Sequence, residues 1–187
     1  MPRLNHNDAI GDRYDGELFS DPPLSDPDGQ KVDSPFRPDR IVSGGQTGID
    51  RAGLDVAIDL GIEHGGWCPK GRLAEDGTVP AKYQLTEYSS PKYSARTAQN
   101  VIDSDATLIL YERKLIGGTL LTARLCKRHK RPCFLIQMDA EGPQEAIVWL
   151  SELRPATLNI AGPRESTSPG IAGRARPLLL EMLSQPV

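Results

Sequence analysis

From Arg40 onward the chain alternates short, almost wholly apolar runs with glycine-bearing turns and then segments of helical spacing. That alternation limits the fold more than any other feature. Strands apolar on both faces must be covered on both faces, and strands that run parallel need crossovers of helix length. The pattern predicts a three-layer α/β/α domain with a mostly parallel sheet of about five or more strands. The strands fall at Ile41–Ser43, roughly Glu63–Cys68, Thr107–Glu112, Cys133–Met138 and Thr157–Ala161.

The helices follow from spacing. Ile49, Ala52, Val56 and Leu60 form one apolar stripe, with Asp55 and Asp59 turned outward. Ala146, Ile147, Leu150 and Leu153 form a second, with Pro143 near its first turn, where a missing N–H costs nothing. Leu121 and Leu125 lie on a third, ended by Lys127-Arg128-His129-Lys130, which suits the negative end of the helix dipole. Ala175, Leu178, Leu179 and Met182 indicate a last helix, in which Pro177 predicts a kink or a later start. A further helix is expected over Tyr93–Asp103. Residues 69–92 fit neither period. Because they carry Lys70, Gly71, Arg72, Glu75, Asp76 and Gly77 beside Trp67 and Cys68, they read as a functional loop.

At 187 residues one domain is expected. Residues 1–38 hold six prolines, four Lys/Arg and eight Asp/Glu, with little periodic apolar content, and read as a flexible accessory tail ahead of a ligand-binding domain at 39–187. The remaining chain has eighteen positive residues against seventeen negative, so it lacks the basic surplus that long nucleic acid requires. Cys68, Cys126 and Cys133 are odd in number and have no CxxC spacing, which indicates neither a disulfide framework nor a zinc knuckle. No apolar run reaches the roughly 20 residues that span a bilayer, and the polar, acidic N-terminus does not read as a signal or transit peptide. The expectation is a soluble cytoplasmic protein with no membrane association.

The chemistry gathers at three turns. Ser43-Gly44-Gly45-Gln46-Thr47-Gly48 follows the first strand and opens a helix, the place where backbone N–H groups and the helix dipole bind anions. Gly117-Gly118-Thr119 follows the Thr107–Glu112 strand, and Gly162-Pro163-Arg164-Glu165-Ser166 follows the last. If all strands are parallel, the three turns share the carboxyl edge of the sheet, where open α/β folds bind ligands. Arg51, Lys70, Arg72 and Arg164 are candidate partners for phosphate or another oxyanion. Asp50, Glu75, Asp76 and Glu165 could accept hydrogen bonds from a heterocycle or ribose, or serve as caps and ion pairs; Trp67 could stack on a ring or pack in the core. No Lys-Ser/Thr pair follows the first glycines and no GxGxxG is present, which argues against nucleoside triphosphate hydrolysis. His64 and Cys68 find no third metal ligand, and neither a Cys-His pair nor a Ser-His-Asp triad is evident. The site residues suggest binding, with no catalytic set and no metal site of the protein's own.

The stretches IVSGGQTGIDRAGLDVAIDLGIEHGGWCPKGRLAEDG, ARTAQNVIDSDATLIL, IGGTLLTARL and LNIAGPRESTSPGI resemble the molybdenum cofactor carrier family, from about Arg40 to near the C-terminus. That family is similar to a Rossmann-like superfamily that also holds the "lonely guy" phosphoribohydrolases and DNA-processing proteins. The resemblance implies a Rossmann-like fold, a homo-oligomer, as a tetramer, and a cargo of molybdenum cofactor (molybdopterin), a phosphate-bearing pterin whose dithiolene holds molybdenum. It implies contacts at Ser43, Gly44, Gly45, Gln46, Thr47, Gly48, Lys70, Arg72, Gly117, Gly118, Thr119, Gly162, Arg164 and Ser166. A carrier of this kind passes its cargo to a molybdoenzyme or cofactor-insertion partner. The alternatives are a nucleoside-monophosphate phosphoribohydrolase and a sensor of a nucleotide derivative. The hydrolase signature PGGxGTxxE is not met at Ile116–Ala123, which lacks its acid, so Glu165 or Asp76 would have to substitute.

Overall fold

The computed structural model describes residues 36–90, 92–138 and 143–184, and the alternation appears there as nine strands and five helices. In chain order these are β1 (Arg40–Val42), α1 (Ile49–Leu60), β2 (Glu63–Gly65), β3 (Trp67–Cys68), β4 (Leu73–Ala74), β5 (Gly77–Thr78) and β6 (Thr86–Glu87). There follow α2 (Tyr93–Ile102), β7 (Ala106–Tyr111), α3 (Gly117–His129), β8 (Cys133–Gln137), α4 (Gln144–Leu153), β9 (Thr157–Ala161) and α5 (Ile171–Leu183). Five strands make the main sheet in the order β2-β1-β9-β7-β8, and every pairing in it is parallel.

The central strand β7 shows why the sheet must be covered twice. Leu108, Ile109 and Leu110 are fully buried, yet Leu108 and Leu110 enter one core cluster and Ile109 another, as alternation along a strand demands. The first cluster joins Ile49, Val56, Trp149, Leu150, Ile171 and Leu179 from α1, α4 and α5 to one face of the sheet. The second joins Val101 of α2 with Ala123 and Cys126 of α3 on the other. The result is a three-layer, Rossmann-like α/β/α sandwich. Each fully buried aliphatic side chain contributes about 1.5–3 kcal/mol. Phe36, near the end of the 1–38 stretch, is buried in the first cluster with the Arg154 guanidinium 5.4 Å from its ring centre; residues 1–35 of the expected tail lie outside the described residues. No helix among the described residues is long and apolar enough to cross a membrane.

Two expectations are corrected. The run Glu63–Cys68 is not one strand: Gly66, at φ 115, turns the chain, so β2 joins the main sheet while β3 pairs with β6. A side chain could not make that turn, because a Cβ at Gly66 would lie 2.3 Å from the Ser43 carbonyl oxygen. Of the two outcomes expected at Pro177, a kink or a later start, the later start is not met: helix α5 begins at Ile171 and runs through the proline. The proline removes one bond to the carbonyl of Gly173, a cost offset where Ala175, Leu179 and Met182 bury against the core. Within residues 69–90, Val79, Tyr83 and Leu85 join Cys68 in a third cluster that covers Leu54 of α1.

Candidate functional site

In the strand order β1-β9-β7 the three glycine-bearing turns become neighbours. They frame a cleft of about 510 Å³ at the carboxyl edge of the sheet. Gly44, Gln46 and Asp50 line it from the first turn and the start of α1, Gly117, Gly118 and Thr119 from the start of α3, and Gly162, Arg164 and Ser166 from the turn after β9. Helix α2 supplies a further wall with Tyr93, Arg96, Thr97 and Asn100, and the sheet contributes Asn159. Arg164 stacks over the Tyr93 ring at 5.0 Å, joining two of these walls at the rim.

Other residues picked out by sequence stand behind the cleft and do not line it. The Ser43 hydroxyl donates to the Ile160 carbonyl at 2.8 Å. Gly45, at φ 73, faces the third core cluster, where a Cβ would lie 2.4 Å from Leu85 Cδ1. Gly48 packs on the backbone of Pro163 and Arg164. Thr47 hydrogen-bonds Glu75 through its hydroxyl, and that hydroxyl accepts from the Glu165 N–H at 3.2 Å. Lys70 is exposed on the turn before β4. Trp67 donates its indole N–H to Asp103 at 2.7 Å and meets Tyr88 edge to face.

Arg72 illustrates how the 69–92 segment holds its shape. Its guanidinium donates to the carbonyls of Val79, Leu85, Pro80 and Tyr83 at 3.0–3.2 Å. Hydrogen bonds from a charged donor contribute about 1.5–3 kcal/mol. Arg72→Ala should therefore open this segment locally: limited proteolysis is expected to cut within 69–88 at least about tenfold faster than in the parent protein. Equal cutting rates would show that the four carbonyls do not depend on Arg72.

The acids are engaged as well. Asp76 forms a two-point pair with Arg51 at 2.5 and 2.7 Å, which lowers the carboxyl pKa. Partial burial raises the Glu75 pKa, but hydrogen bonds from Ser166 and Thr47 outweigh it and hold the carboxyl below its ordinary value. Glu165 accepts from the N–H groups of Gly170 and Ala172 at the start of α5. The β4–β5 hairpin thus fastens the first and third turns together from outside.

Asp50 is the one acid that lines the cleft among the described residues. Its Oδ2 accepts from the Gln46 N–H at 3.2 Å and lies 3.7 Å from Arg96 Nη1. The chain's own carboxylate therefore occupies one of the amides of the first turn, that of Gln46. Burial raises the Asp50 pKa, opposed by Arg96; burial likewise lowers the Arg96 pKa, opposed by Asp50. Arg96 covers Gly44, where a Cβ would sit 1.3 Å from Nη1, so glycine here makes room for a guanidinium. Sequence reading passed over Arg96, Asn100 and Asn159. The signal that could have exposed the first was an arginine on the helix that precedes the strand leading to Gly117.

The second turn is different. Helix α3 has no side-chain cap, and the N–H groups of Gly117, Gly118 and Thr119 have no acceptor among the described residues. A Cβ at Gly117 or Gly118 would meet nothing within 4 Å. Gly117 and Gly118 are exposed in the cleft wall, and Thr119 lines it, with the helix dipole behind their amides.

Comparisons with known proteins bear on this arrangement. No curated protein matches the chain. One solved structure, named "Putative molybdenum carrier protein" and from Syntrophus aciditrophicus SB, is 44% identical, covers 81% of this chain and 98% of its own, and superposes with a TM-score of 0.76. A model of the circularly permutated YpsA SLOG family matches residues 41–183, a span that takes in all of the main sheet but Arg40 and all three turns. On the strength of that span and of the identity to the solved relative, the chain belongs to the circularly permutated YpsA SLOG family.

Proposed function

We propose that the cleft binds the phosphate group of a small pterin ligand, the molybdenum cofactor or a close relative, and that the protein carries this ligand without transforming it. The observation that carries the reading is the run of three uncapped amides at the start of α3, Gly117 to Thr119, facing a cleft with arginine at its rim. Such a helix terminus favours a phosphate by geometry and by dipole. The name of the 44% identical relative supports molybdenum as part of the cargo. Among the described residues neither cysteine nor histidine lines the cleft, so on this reading the ligand's own sulfur donors would hold the metal.

The hydrolase alternative loses its substitutes. Glycosidic cleavage needs an acid within reach of the scissile bond, whereas Glu165 caps α5 and Asp76 pairs with Arg51. Asp50 lines the cleft but is engaged, accepting from the Gln46 N–H and standing 3.7 Å from Arg96. Reversible recognition remains the chemistry best matched to the lining.

Gly118→Val gives the sharpest test, because the new side chain enters open space in the cleft and not the core. The change in folding stability is expected to stay under about 1 kcal/mol, while fluorescent oxidised pterin released from protein purified from its native host disappears. In the parent protein a phosphate monoester at about 100 times its Kd should stabilise the fold by about 2.7 kcal/mol. Undiminished pterin in the Gly118→Val protein would remove the reading. Gly45 is unsuited to this test, since its substitution would disturb Leu85 and Val79 instead.

A further inference from the structure

The cleft has a second cationic pole, separate from the α3 amides. Arg96 is only 7% exposed, yet its guanidinium makes no hydrogen bond with any described residue. Its Nε is sealed from solvent without a partner, and its nearest carboxylate oxygen stands 3.7 Å away, already accepting from Gln46. Buried donors are almost always satisfied, and a guanidinium presents a planar fork suited to an oxyanion. Arg164, on the turn after β9, shares the same cleft. The two guanidinium groups repel each other, and Asp50 is the one carboxylate that lines the cleft beside them among the described residues.

The sheet sets the distance between the poles. Arg96 ends over Gly44, just beyond β1, whereas the α3 amides follow β7, and β9 lies between these strands. Two interstrand spacings amount to about 10 Å. We propose that the ligand carries two oxyanionic groups about 10 Å apart, a phosphate on the amides of Gly117–Thr119 and a second on Arg96 and Arg164. This rests on the phosphate-binding reading above. It narrows the ligand class to doubly anionic molecules and disfavours simple nucleoside monophosphates, whose charge sits at one end.

Calorimetric titration of the full-length protein with butyl phosphate and with a series of alkanediol bisphosphates of increasing chain length tests it. The bisphosphate whose ends span about 10 Å should bind at least about tenfold more tightly than the monoester, because the second contact becomes intramolecular. Shorter members should lose that advantage. In Arg96→Gln the ratio should fall to about two, the statistical factor for two equivalent ends, and Arg96→Lys should keep part of it. Since Arg96→Gln leaves Asp50 without its partner, the double variant Asp50→Asn/Arg96→Gln serves if the single one does not fold. A flat chain-length series in the parent protein, or a full advantage in the folded variant, overturns the second pole. Failure of butyl phosphate to bind at all would instead overturn the phosphate anchor.

Discussion

Arg96→Gln is expected to lower folding stability by about 3–5 kcal/mol in urea unfolding, the usual cost of removing one partner from a buried ion pair. The cost arises on the other side of the pair. Asp50 would remain buried, 9% exposed, keeping the Gln46 N–H and the Ser43 side chain but losing its nearest cation. Burial already raises its pKa, and the Arg96 charge is the largest influence opposing that rise. The sign of the pH dependence follows. A carboxyl whose folded pKa lies above its unfolded one stabilises the fold fully below the unfolded pKa and loses that contribution as pH rises through the folded value. The deficit of the variant should therefore shrink as the pH is lowered from neutrality. Asp50→Asn placed in the same background should recover a large part of the loss, by the logic of a double-mutant cycle. A loss below about 1 kcal/mol, unaffected by pH, would mean that the pair behaves as a solvated surface contact.

Gly48→Ala should be comparably damaging, at about 3–5 kcal/mol when backbone strain and overpacking are added. Gly48 precedes α1 at φ 80 and ψ −132, a conformation open essentially to glycine. A Cβ there would lie 2.4 Å from the Pro163 carbonyl oxygen and 2.9 Å from backbone atoms of Arg164 and Glu165. None of these is the end of a flexible side chain, so the turn after β1 and the turn after β9 would have to part. Because Arg164 rides on the second of these turns, the variant should also lose part of the bisphosphate advantage over a monoester when measured well below its melting temperature. Gly118→Val is expected to do the reverse, sparing stability and removing the ligand. If Gly48→Ala melts within about 2 °C of the parent protein, the two turns are not docked as tightly as their backbone distances imply.

The contrast between Gly48 and Gly118 marks where sequence reading stopped. Both glycines follow a strand and open a helix, and their neighbours in the chain do not tell them apart. One meets the backbone of Pro163, more than a hundred residues later, and the other meets empty space. Likewise Arg72 looked like a phosphate ligand because it is basic and follows a tryptophan and a cysteine. It is instead surrounded by four carbonyls that come near only once residues 79–85 have folded back.

What the sequence by itself determined was the alternation. Apolar runs such as Leu108-Ile109-Leu110 commit to a strand buried on both faces, and the stripe Ile49, Ala52, Val56 commits to a helix beside it, because local geometry sets both periods. Glycines after those strands marked three turns at one edge. Tertiary structure alone decided which amides remain free, since Asp50 takes up one at the first turn and no described residue takes up those of Gly117–Thr119. It also decided that Arg96, polar and on a helix, is buried over Gly44. Burial and hydrogen-bond satisfaction depend on neighbours brought together by the strand order β1-β9-β7, and such neighbours leave no periodic trace along the chain.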